Sequence, residues 1–169
     1  MIVVTNAGPL MALAKLGLLH LLDRLYGTVL MPGAVYDEVV LRGMEQGFSD
    51  FLQVKLAIQQ KFLVIKVVKK QRPDIVALPL HKGEKETLSL SLEHNADLVL
   101  LDDMLARTEA QALGLSVKGT LGVIVKGYSK GILSLDEVRI IFDSIIERND
   151  IWIAEGLCRS IFDGLKNRN

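Results

Sequence analysis

Carboxylate and amide side chains in this sequence stand where apolar runs stop and where helices start. Asn6 follows the apolar residues Ile2, Val3 and Val4, and Asp102 and Asp103 follow the run Ala96 to Leu101. Glu38 and Glu84 lie near the starts of helical segments. Such side chains, carried to one edge by two buried strands, suggest a site for a metal ion or a phosphate. Collected in one cleft, Glu38, Glu84, Asp102 and Asp103 would repel one another unless protons or metal ions neutralised them, and no fixed cation is expected nearby. An oxygen-only donor set suits a hard divalent ion, Mg²⁺ or Mn²⁺, rather than zinc. No Cys or His cluster competes, because His20, His81 and His94 are scattered and read as surface or helix-end residues. Plainer roles stand beside the chemical ones. Glu38 and Glu84 suit the positive end of a helix as solvated acids, Asp103 suits the N-cap of the helix after it, and Asn6 suits a turn.

The elements that must position these residues alternate between strand and helix. Ala96 to Leu101 is short, almost purely apolar and rich in Leu and Val, as a strand buried on both faces of a parallel sheet should be. Ile2 to Thr5 repeats the pattern, and Thr28–Met31, Phe62–Val68 and Leu115–Lys118 read as further strands. Polar residues just beyond such strands fall at the carboxyl edge of the sheet, where open α/β folds place their ligands. Helices are expected over Leu10–Leu16 and Leu18–Leu25, from Pro32-Gly33 to Met44, and over Ser49–Gln60. Others are expected over Met104–Leu113, Leu121–Lys126, Ser134–Arg148 and Ala154–Lys166, with Pro73–Pro79 as a connection. Lys82 to His94 is ambiguous, since Leu88-Ser89-Leu90-Ser91-Leu92 alternates with the period of a strand. Its length, Glu84 and Glu86 at its start and Asn95 as a left-handed cap favour a helix. The fold class that results is a three-layer α/β sandwich with a mostly parallel central sheet flanked by helices.

The 169 residues form one expected domain, with 20 basic and 20 acidic side chains. Any nucleic-acid surface must therefore be local rather than global. Lys66, Lys69, Lys70 and Arg72 could touch phosphates, but a charged strand edge that blocks sheet-on-sheet pairing explains them more simply. The single cysteine, Cys158, fits a reducing compartment and reads as a small buried hydrophobe. The oiliest stretch, Pro9 to Leu22, carries Lys15 and His20, too polar for a membrane span. A cytoplasmic protein without a membrane segment is expected.

Four stretches, VVTNAGPLMALAKLGLLHLL, VLMPGAVYDEVV, GEKETLSLSLEHNADLVLLDDMLAR and GLSVKGTLGVIV, taken in order, resemble PIN-domain proteins. The best-known members of that family are metal-dependent ribonucleases, including toxins of prokaryotic toxin–antitoxin pairs. The resemblance implies a PIN-like fold and a Mg²⁺- or Mn²⁺-dependent endoribonuclease. Its metal ligands would be Asn6, Glu38, Glu84 and Asp102, with Asp103 adjacent and Glu38, Glu84 and Asp102 the catalytic carboxylates. Thr120 and Arg107 would contact the substrate. RNA, a small antitoxin protein and a second copy of the chain are the partners it implies. Two positions depart from the family pattern, since its first aspartate is here Asn6 and the following serine or threonine is Gly8. An amide still offers a carbonyl ligand but no charge, so metal affinity should fall. The alternative is a weakened or inactive PIN fold that binds RNA or protein without cutting. A phosphorylation switch of the receiver type fits less well, because its acidic pair follows the first strand, whereas here the pair comes late.

Overall fold

The structure, a computed structural model, describes residues 1–167. The chain divides into two compact units, Met1–Thr120 and a second that starts at Leu121. The first unit is built on five strands: β1 (Val3–Thr5), β2 (Val29–Pro32), β3 (Leu63–Lys66), β4 (Leu98–Leu100) and β5 (Val117–Lys118). They lie in the order β3-β2-β1-β4-β5, and every neighbouring pair is parallel. β1 is fully buried, with Val3, Val4 and Thr5 each 0% exposed. Its register is tight, with Thr5 opposite Leu100.

Helices connect the strands: α1 (Ala7–Lys15), α2 (His20–Tyr26), α3 (Gly33–Tyr36), α4 (Arg42–Gln46), α5 (Asp50–Gln59), α6 (Pro73–Val76), α7 (Lys82–Glu93) and α8 (Met104–Ala112). The ambiguous Lys82 segment is helical. Its Leu88, Ser89, Leu90 and Ser91 are all buried, as the small serines allow where a helix lies against strands, and it packs on β1, β2 and β4. Asn95 takes the left-handed conformation at φ 49°, as the cap reading required. The Pro73–Pro79 connection is not plain loop, since Pro73 opens the one-turn helix α6, its fixed φ suiting a first helical position.

The helix expected from Pro32-Gly33 to Met44 is interrupted by a π-helical turn over Asp37–Leu41, between α3 and α4. The reason is in the burial pattern. Ala34 and Val35 are buried, and the next buried pair, Val39 and Val40, comes five residues later. An i→i+5 turn closes that spacing, whereas a regular α-helix would swing Glu38 toward the face of Ala34. The wider turn leaves Asp37 and Glu38 on the exposed side.

α9 (Thr120–Ser129) begins at the end of the first unit, with Thr120 as its first residue. In the second unit, α10 (Leu135–Glu147) packs on α11 (Glu155–Lys166). Ser134 and Glu137 form a capping box. α11 buries Cys158 and Leu165, while Leu157 is 52% exposed. Cys158 is indeed a buried hydrophobe.

Candidate functional site

In strand order, β1 stands between β2, which follows it in the chain, and β4, which the chain reaches only after returning from β3. The crevice outside the carboxyl ends of β1 and β4 is therefore a topological switch point, where open parallel sheets bind ligands. Asn6 and Asp102 stand at that crevice. The Asn6 N–H donates to Leu100 O at 3.1 Å, which continues the β1–β4 ladder past its last strand residue.

Asn6 is 8% exposed and occupies the N-cap position of α1 without making a side-chain cap. Thr87 Oγ1 lies 3.5 Å from its Oδ1, a long contact, and donates more strongly to Gly83 O at 2.7 Å. Glu38 comes from the π turn after β2. The residue as a whole is exposed, but its carboxyl tip reaches inward. A Cβ built on Gly83 would lie 3.0 Å from Glu38 Oε2 and 3.5 Å from Asn6 Oδ1. Two oxygens from separate strand ends thus face the bare Cα of one glycine, and the space between them is open because Gly83 has no side chain.

Glu84 follows in the first turn of α7. At 9% exposure it is not a solvated acid, and its Oε2 accepts the His81 N–H at 2.9 Å. Burial pushes the Glu38 pKa up, the Arg42 charge opposes that, the Glu84 charge adds to it, and the His81 charge opposes it weakly. The expectation of no fixed cation near the acids is therefore corrected. Arg42, one helical turn on, lines the same cleft as Glu38, and His81 is the N-cap residue of the neighbouring helix. Glu38, Arg42, His81, Lys82 and Gly83 line a cleft of about 450 Å³, with Asp37 at its side.

Asp102 is held differently. Its Oδ1 accepts the Thr120 N–H at 2.7 Å and its Oδ2 accepts the Thr120 hydroxyl at 2.6 Å. Two further neighbours of this carboxylate, Gly8 and Gly119, are glycines. A Cβ on Gly8 would come 3.6 Å from Oδ2, and one on Gly119 would come 2.7 Å from Oδ1. Asp103 turns away and caps α8, its Oδ1 accepting the Ala106 N–H at 2.8 Å. Arg107 donates from Nη1 to Leu101 O at 3.0 Å, which ties its guanidinium to the end of β4.

The structure thus brings Asn6, Glu38 and Glu84 to Gly83, sets Asp102 against Thr120 at the adjoining strand end, and engages Asp103 and Arg107 locally. Sequence reasoning assigned no site role to Gly83, Arg42 or Lys82, and His81, read as a surface or helix-end residue, is the N-cap of α7. Gly83 had a signal, because a glycine inside a first helical turn costs stability unless something must approach its backbone closely. Among the described residues no three His, Cys, Asp or Glu side chains are grouped as a ready metal site. The donor chemistry nonetheless fits a hard cation at Gly83. An amide oxygen and a carboxylate oxygen converge on open space there, and the buried Glu84 charge raises the cost of leaving Glu38 ionised and unpaired.

A sequence model of the family described as "DUF3368: PIN domain" matches residues 2–167. No curated protein matches the sequence. Among solved structures the fold is similar to a PilT N-terminus domain protein from the hyperthermophilic archaeon Sulfolobus solfataricus P2. That likeness has a TM-score of 0.55 and 15% identity, and covers 74% of this chain and 92% of the other.

Proposed function

Because the chain belongs to the PIN-domain family, whose members are generally divalent-metal-dependent nucleases, we propose that it is a Mg²⁺- or Mn²⁺-dependent endoribonuclease. The observation that carries this reading is the convergence of Glu38 Oε2 and Asn6 Oδ1 on the open Cα of Gly83. Asn6 and Glu38 would hold the ion, with Glu84 and Asp102 beside them. When bound, such an ion activates water and stabilises charge on the scissile phosphate. The chain's own residues do the rest. Burial and the Glu84 charge make the Glu38 carboxylate seek a cation, and Thr120 holds Asp102 in one orientation through two hydrogen bonds. Arg42, His81 and Lys82 line the same cleft and offer positive charge to an incoming phosphate.

Toxin activity restrained by a small antitoxin, a homodimer and a cytoplasmic location belong to the same proposal. The single Cys158 is buried and unpaired, which suits a reducing compartment. Among the described residues no helix is long and apolar enough to cross a membrane.

A second reading, an RNA- or protein-binding module that does not cut, is favoured by two observations. The first ligand position is a neutral amide, and both oxygens of Asp102 are already occupied by Thr120. Cleavage of labelled single-stranded RNA separates the two. Mn²⁺ should support cutting that chelator stops and that Glu38→Gln and Asp102→Ala each lower by about a hundredfold or more. Asn6→Asp should raise turnover by restoring the missing charge. Cutting that survives chelator and both losses rules out the nuclease mechanism, and bound but uncut RNA in wild type and Asn6→Asp alike establishes the binding module.

A further inference from the structure

We propose that a groove beside the candidate site, lined by Lys69, Lys82 and Lys85, is a track for the phosphate backbone of single-stranded RNA leading into the Glu38 cleft. The inference rests on the nuclease reading for its choice of ligand, and on the geometry of this groove for its location. The groove encloses about 580 Å³ and is lined by Lys69, Gln71, Val76, Lys82, Lys85 and Glu86, with Val68 at its edge. Lys82 also lines the Glu38 cleft, so the two cavities adjoin through one side chain.

A chain with 20 basic and 20 acidic residues has no general attraction for a polyanion, so three lysines around one hollow are a local concentration of charge. The lone acid among them is restrained. Glu86 Oε2 accepts the Ala34 N–H at 2.9 Å, and its Oε1 lies 3.8 Å from Lys82 Nζ. The Lys69 backbone and the Lys85 side chain are held in place, while the Lys82 side chain is 76% exposed. Glu93 accepts the backbone N–H groups of Lys69 at 3.2 Å and Lys70 at 2.7 Å, which pins the segment after β3. Lys85 Nζ donates to Val76 O at 2.7 Å and retains two donors. Lys82 and Lys85 stand three apart on α7, neighbours on one helix face. A charged guard on the edge strand β3 accounts for Lys66 and Lys69 but not for two lysines on a helix. Among the described residues no aromatic side chain lines the groove, so it offers phosphates charge without a stacking surface for bases, and binding along it should tolerate any sequence.

The test is anisotropy of a labelled single-stranded RNA of about 12 nucleotides, titrated with the full chain in chelator across a salt series. Lys69→Gln/Lys82→Gln/Lys85→Gln should reduce the slope of log affinity against log salt by about 2, since each phosphate contact on a single strand contributes about 0.7. Lys69→Gln/Lys82→Gln, which leaves the Lys85–Val76 bond intact, should reduce it by about 1.4. Lys61→Gln/Lys130→Gln, at exposed lysines outside the groove, should leave it unchanged. A wild-type chain that fails to bind RNA, or groove variants that melt like wild type and keep its slope, overturns the proposal. Loss of slope in a chain that never cuts RNA with Mn²⁺ sustains the track and removes the nuclease reading instead.

Discussion

Gly83 is the residue on which the candidate site turns. A side chain there would stand 3.0 Å from Glu38 Oε2 and 3.5 Å from Asn6 Oδ1, in the space where the two oxygens could share an ion. Nothing else demands glycine at this helical position, where Ala is better by about 0.5–1 kcal/mol. Gly83→Ala should therefore melt at or above the wild-type temperature while Mn²⁺ affinity, measured by calorimetry, falls about tenfold or more. Unchanged Mn²⁺ affinity in a well-folded Gly83→Ala would remove that glycine from the site. The acids around it are not equivalent. Glu38 is pushed toward its protonated form by burial first, with Arg42 opposing and Glu84 adding to the shift, and Asp102 accepts two hydrogen bonds from Thr120.

The elements divide into those whose placement a sequence reveals and those it hides. Buried parallel strands such as Ala96 to Leu101 are legible because both faces are apolar and polar residues begin abruptly at the sheet edge. That boundary alone located Asn6 and Asp102. The helix at Lys82 was legible from its ends rather than its interior, where the serine alternation mimics a strand. The π turn at Asp37–Leu41 was hidden, because a five-residue recurrence of buried pairs is visible only once burial is known. So was the pairing of Asp102 with Thr120, residues 18 apart that meet only through the β4–β5 neighbourhood. In the second unit, Ser134 and Glu137 were legible because a capping box is local. The Ser134 N–H, and secondarily its hydroxyl, hold the Glu137 carboxyl below its usual pKa. A depressed acid stabilises the fold above its unfolded pKa and loses that contribution as pH falls through the folded one. Thermal melts should therefore show wild type losing stability relative to Glu137→Gln as pH drops through and below the ordinary carboxylate range. Parallel pH profiles for the two would show that the box contributes nothing.

At the scale of the whole molecule, chain topology makes the site possible. Strand order β3-β2-β1-β4-β5 builds the first half of the sheet on one side of β1 and the second half on the other, and the crevice this opens is where the amide of Asn6 and the carboxylate of Asp102 arrive from neighbouring strands. The chain belongs to the PIN family, and its fold is similar to that of an archaeal protein. The proposed activity depends on whether the oxygens of Asn6 and Glu38, delivered by two separate connections, hold one ion. Crystals grown with Mn²⁺ test that most directly, through anomalous difference density collected near the manganese edge. The account predicts a peak between Asn6 Oδ1 and Glu38, over the Cα of Gly83. Well-ordered crystals with Mn²⁺ bound elsewhere on the protein, and none there, would contradict it.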